Sequence, residues 1–153
     1  MTIQHVPDAQ QDRRALLLLI NDDRQLLLCG SCCDTWTIPS IHTGTGVEPA
    51  AQARQHLART FGISNPQLAE VRGVHTSGSD QTWEYERITE THLLIYRITN
   101  EDARSACDRE GGYSLWALEK LRHRRRQVSP QGVITFLAGF LEGWLPDGRH
   151  TLH

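Results

Sequence analysis

Residues 14–30, RALLLLINDDRQLLLCG, constrain the fold most. Two apolar runs flank Asn21, Asp22 and Asp23, residues that tolerate tight turns, so residues 15–29 read as a β-hairpin. TWTIP follows as a short strand ended by Pro39. Residues 40–47 carry Gly44 and Gly46 among small polar neighbours and read as a loop entering a helix at Glu48 or Pro49. In that helix Ala50, Ala53, Leu57 and Phe61 recur every three or four residues as one apolar stripe, with Gly62 as the stop. Strands are expected at about 68–77, at 91–99 and in YSLWAL. Ser129-Pro130 is expected to cap a last helix with Val133, Phe136, Leu137, Phe140, Leu141 and Trp144 on its apolar face. Trp36, Trp116 and Trp144 read as core or rim aromatics. This order predicts a mixed β-sheet between helices, an α/β or α+β class.

A chain of 153 residues, 39% apolar and 22% charged, suits one domain over residues 1–153, with about 1–13 as an N-terminal extension and about 146–153 as a C-terminal tail. A net charge of -2 provides no global field for nucleic acid. The basic run RHRRR at 122–126 is too short for a nucleic-acid tail and reads as a solvated loop. The N-terminal segment lacks a basic stretch followed by an apolar one, and ALLLLI is too short to span a bilayer, so the expectation is a cytoplasmic protein with no membrane or nucleic-acid partner. Cys29, Cys32, Cys33 and Cys107 are expected as free thiols, because CGSC lacks the second pair of soft ligands that a structural zinc site needs.

From Trp36 to Ile63 the chain resembles the Nudix family, hydrolases of a nucleoside diphosphate linked to another moiety. The family signature is G-x5-E-x7-R-E-U-x-E-E-x-G-U, with U a bulky aliphatic residue. Trp36 and Pro39 fall where the family has its strand-and-loop approach, Gly46 stands just before the first glutamate position, Leu57 fills the first aliphatic position, and Gly62-Ile63 closes the box. The preceding hairpin, the LLIYRI strand and the YSLWALEKL segment before the last helix follow the family order, so the resemblance spans roughly residues 14–144. It implies a Nudix-like α/β/α sandwich, and an enzyme acting on diphosphate bonds with Mg²⁺ or Mn²⁺.

The chain departs from the signature where the metal would be held. The opening glycine is Ile41, the first glutamate Val47, the arginine Gln55, and the glutamate trio His56, Arg59 and Thr60. Glu48 and Arg54 each sit one residue off in opposite directions, so no single shift of the frame recovers both. The helix face at 52, 56, 59 and 60, where the family aims carboxylates at a hard cation, reads Gln52, His56, Arg59, Thr60. Imidazole is a poor Mg²⁺ ligand, guanidinium cannot bind a cation, and Thr and Gln offer only neutral oxygens. No metal cofactor is therefore expected, and ordinary hydrolysis should be very weak.

Two function classes follow. One is a non-catalytic or re-purposed member that binds a nucleotide-like or anionic small molecule, with Arg59 and His56 pairing a phosphate or carboxylate directly. The other is an active hydrolase that keeps Mg²⁺ or Mn²⁺ through Glu48, Glu84 or Glu86 as substitute acids. His42, His75 and His56 are candidates for a Zn²⁺ cluster, against the reading of surface or hydrogen-bonded histidines. Trp83 and Tyr85 read as edge-strand packing or a homodimer contact, with stacking of a nucleobase or other flat ligand as the alternative.

Overall fold

The computed structural model describes residues 11–30, 36–44, 46–78, 88–109, 111–123, 128–129 and 132–152. Strand β1 (Gln11–Ile20) is the centre of the molecule. Its apolar run is continuous because both faces are buried: Ala15, Leu17 and Leu19 enter one core, and Leu16, Leu18 and Ile20 enter the other. Asn21 turns the chain, its side-chain oxygen accepting from the Asp23 and Gln25 amides at 3.1 and 2.8 Å. β2 (Gln25–Gly30) then returns antiparallel to β1, which agrees with the expected hairpin.

The remaining described strands are β3 (Trp36–Thr37), β4 (Ser40–Thr43), β5 (Gln67–Gly78), β6 (Ile88–Arg97), β7 (Tyr113–Ala117), β8 (Val128–Ser129) and β9 (Gly148–Leu152). They form one sheet in the order β8-β3-β2-β1-β6-β5-β9, with β4 also on β1 and β7 also on β2. The sheet is mixed, since β1 pairs parallel with β6, β5 with β9 and β3 with β8, while the other pairings are antiparallel. Helix α1 (Pro49–His56), its continuation Leu57–Phe61 and α2 (Asn100–Arg109) cover the face of Leu17 and Leu19; α3 (Leu118–His123) and α4 (Val133–Leu141) cover the face of Leu16 and Leu18. The expected α/β/α layering holds. No helix among the described residues is long and apolar enough to cross a membrane.

Five expectations are corrected. Residues 40–43 are a strand rather than a loop, because Ser40 to Thr43 pair antiparallel with β1 and Ile41 packs into the α1-side core. The last helix starts at Val133 after Gly132, whose φ of 90° turns the chain into the helix; Ser129 pairs in β8 instead. Trp144 lies past the end of that helix and is 71% exposed, whereas Trp36 and Trp116 pack edge to face at 4.8 Å against the core. The expected C-terminal tail contains β9, paired parallel with β5. Helices α2 and α3 were not anticipated, and Arg122 and His123 close α3 rather than lying in a loop.

Candidate functional site

Helix α1 begins at Glu48, whose carboxylate accepts from the Ala50 amide at 3.5 Å, with Pro49 in the first turn. The same carboxylate oxygen pairs with Arg72 Nη2 of β5 at 2.8 Å. The Arg72 hydrogen bond is the main cause that holds the Glu48 carboxyl below its ordinary pKa, against a smaller opposing effect of burial. From β6, Tyr96 donates its hydroxyl to the Ala50 carbonyl at 3.2 Å, and burial pushes the phenol up to about 12. The start of the box helix is thus tied to two strands by an ion pair and a hydrogen bond.

Along the helix, Ala53, Leu57 and Phe61 are buried as the periodicity demands. Beside them runs a half-buried polar row of Gln52, His56 and Thr60, four residues apart. Gln52 Nε2 donates to the His42 carbonyl at 3.4 Å, and His56 Nδ1 lies 3.3 Å from Thr60 Oγ1. The His56 ring meets Phe61 edge to face at 6.0 Å, and Phe61 in turn meets Tyr113 at 5.1 Å. Arg54, Gln55 and Arg59 point to solvent, as does Val47. Leu57–Phe61 forms one π-turn, a feature enriched at functional sites. Gly62 ends it in the left-handed region at φ 71°, with the Arg109 guanidinium against its Cα.

The sheet supplies the opposite wall. On the face that α1 covers, Arg13 is flanked by Thr43 of β4 and Glu90 of β6, and Ala15 by Ile41 and His92. Glu90 Oε1 accepts from His92 Nε2 at 2.7 Å and pairs with Arg13 Nε at 3.3 Å. The His92 hydrogen bond is the largest influence on Glu90, whose carboxyl lies below its ordinary pKa with the help of Arg13 and Arg149. His92 is almost wholly buried, and its Nδ1 has no hydrogen-bond partner; the same is true of Thr43 Oγ1 and Gln52 Oε1.

His56, Thr60 and Gln52 come together as the spacing predicts, and Arg59 stands exposed beside them. The three-histidine cluster does not form. His42 pairs with Arg14 and His75 with Thr91, on the face of the sheet turned away from α1, because strand parity separates them from Ile41 and Val74. Among the described residues no group of three or more His, Cys, Asp or Glu is placed to hold a metal ion. A hard cation does not fit the box face as it stands, since no carboxylate occupies it and Glu48 is engaged by Arg72. Trp83, Glu84, Tyr85 and Glu86 lie outside the described residues, as do Cys32 and Cys33; Cys29 and Cys107 are free thiols. The sequence reading missed Arg13, Arg72, Glu90 and His92. Their signal was present as polar residues inside apolar strands, but their common face depends on strand register.

No protein-family model matches the sequence, and no curated protein matches it. Solved structures do. An Ap4A hydrolase from C. elegans superposes with a TM-score of 0.58 at 14% identity, over 86% of this chain and 96% of that one. A MutT protein from Bacillus halodurans gives 0.54 at 14% identity, over 86% and 83%, and a NUDIX hydrolase from Nitrosomonas europaea gives 0.56 at 12%, over 90% and 93%. At these identities the likeness concerns architecture alone, and it agrees with the layering and the mixed sheet found here: the chain is a Nudix-fold protein.

Proposed function

We propose that this protein uses the Nudix fold to bind a nucleotide-like or other phosphate-bearing small molecule without a metal ion, and that it is not an efficient hydrolase. One observation carries this reading. The box face presents His56, Arg59 and Thr60 and no carboxylate, while Glu48 at the start of the helix and Glu90 on the sheet beneath it are each neutralised by basic partners. Arg13 and Arg149 act on Glu90 and Arg72 on Glu48, while Arg54 and Arg59 stand exposed on the helix and its continuation, so the region favours an anion where a metal-dependent enzyme needs a cation. Arg59 offers a planar fork for phosphate oxygens, and His56 adds a ring nitrogen one helical turn away. The ligand's own phosphate takes the place that metal-bound phosphate would occupy.

Calorimetry in EDTA with pyrophosphate, ADP and Ap4A tests the reading, Ap4A being the substrate named for the C. elegans relative. Binding in EDTA that weakens in Arg59→Ala is expected. Turnover of these compounds with Mg²⁺ or Mn²⁺ should stay near background. Metal-dependent rates in the ordinary enzyme range of about 1–10³ s⁻¹ would establish the hydrolase instead, with acids outside the box face serving the metal.

A further inference from the structure

The hairpin turn, α3 and α4 meet around a cavity of about 240 Å³, beside the core on the side of the sheet away from α1. Its volume lies below the roughly 300–1,000 Å³ of sites for drug-sized ligands, so it suits a small metabolite. Buried Leu118 and Ala138 and half-buried Leu141 give it an apolar wall. Charged side chains of Asp23, Arg24, Glu119, Arg122 and Glu142 share its rim. Three of the five are engaged: Asp23 accepts from Asn100 Nδ2 at 3.2 Å, and Glu142 pairs with Arg122 at 3.4 Å. Among the described residues the Arg24 guanidinium and the Glu119 carboxylate have no partner, nor do they pair with each other.

Arg24 is also the one non-glycine residue among those described with a positive φ, 57°. The left-handed region strains most side chains, and a strained residue retained there points to a use for what it carries. Its backbone is pinned on both sides. The amide donates to the Asn21 carbonyl at 3.1 Å, and the carbonyl accepts from the Leu118 amide at 3.0 Å. The turn thus contributes a cation on a fixed backbone, and α3 an acid, to one small hollow. We propose that this cavity binds a free α-amino acid with an aliphatic side chain, its carboxylate on Arg24, its ammonium on Glu119, and its side chain against Leu118, Ala138 and Leu141. A guanidinium recognises a carboxylate through paired N–H donors, and a carboxylate accepts from the donors of an ammonium. One unpaired charge of each sign fits a ligand that carries both. A phosphate, which is only anionic, would face the acids Asp23, Glu119 and Glu142 here. The site is separate from the box and does not rest on the anion reading above.

L-Leucine, isocaproate and isoamylamine, titrated calorimetrically into the full chain, separate the contacts, because the second lacks the ammonium and the third the carboxylate. Leucine should bind about tenfold more tightly than either, as a hydrogen bond to a charged group contributes. In Arg24→Gly the advantage over isoamylamine should fall to about twofold or less, and in Glu119→Gln the advantage over isocaproate should do the same. Arg24→Gly should melt no lower than the parent, since glycine relaxes the left-handed turn, and Glu119→Gln exchanges one exposed side chain for another of its shape. Equal affinity of the parent for leucine and its two analogues, or binding of none of them, overturns the site. So does an advantage that survives in either variant, because leucine is then held by other groups. Each of these results leaves the reading of the box intact.

Discussion

Replacing Val47, His56, Arg59 and Thr60 by Glu and Gln55 by Arg restores the signature acids and arginine on an otherwise unchanged frame. The structure allows an estimate of the cost. Val47, Gln55 and Arg59 are exposed, and none of the five belongs to the buried stripe of Ala53, Leu57 and Phe61. Exposed substitutions usually cost within about ±0.5 kcal/mol each. The His56–Thr60 hydrogen bond is lost, at about 1 kcal/mol, and carboxylates at 56, 59 and 60 repel one another across single turns. The metal-free variant should therefore be about 2–3 kcal/mol less stable than its parent and still folded. A rebuilt divalent site stabilises it by RT ln(1 + [M]/Kd), about 2.7 kcal/mol when Mn²⁺ is present at 100 times Kd. For a chain of this size that corresponds to a rise of roughly 5–10 °C in Tm. Thermal melts with EDTA and with millimolar Mn²⁺ measure it, with the parent as control. A folded variant whose Tm ignores Mn²⁺ would refute the premise that positions 47, 56, 59 and 60 converge as a Nudix box does.

Three further outcomes are expected. Because His92 and Arg13 hold the Glu90 carboxyl below its ordinary 4.5, that interaction stabilises the fold above about pH 4.5 and is lost as the pH falls further. Glu90→Gln should then be less stable than the parent at pH 6, by under about 1 kcal/mol given its partial exposure, with the difference shrinking in urea titrations as the pH falls through the lowered folded-state pKa. Gly62→Ala should destabilise by roughly 1–2 kcal/mol by the same assay, since a β-carbon in the left-handed region is strained and this one meets the Arg109 guanidinium. Leu17→Ala, which empties a fully buried site between β1 and α1, should cost about 2–5 kcal/mol; a loss under 1 kcal/mol would contradict the placement of Leu17 in that core.

The local features of this chain were legible because they depend on neighbours in sequence. The Asn21 turn between apolar runs, the stripe of Ala53, Leu57 and Phe61, and the Gly62 stop follow from turn chemistry and helical period alone. So did the absence of carboxylates from the box, which is a statement about letters. The short helices α2 and α3 lacked a stripe long enough to declare themselves, and the β4 strand was hidden behind Gly44, Gly46 and small polar residues until β1 paired with it. What only the tertiary structure decided was register. A strand's side chains alternate between faces, so a one-residue shift in pairing would have sent His92 to the far side and brought His42 and His75 to the near one. Pairing of β1 with β4 and β6, partners distant in sequence, placed Arg13, Thr43, Glu90 and His92 beneath α1, and separated from His56 the two histidines that spacing had offered as its companions.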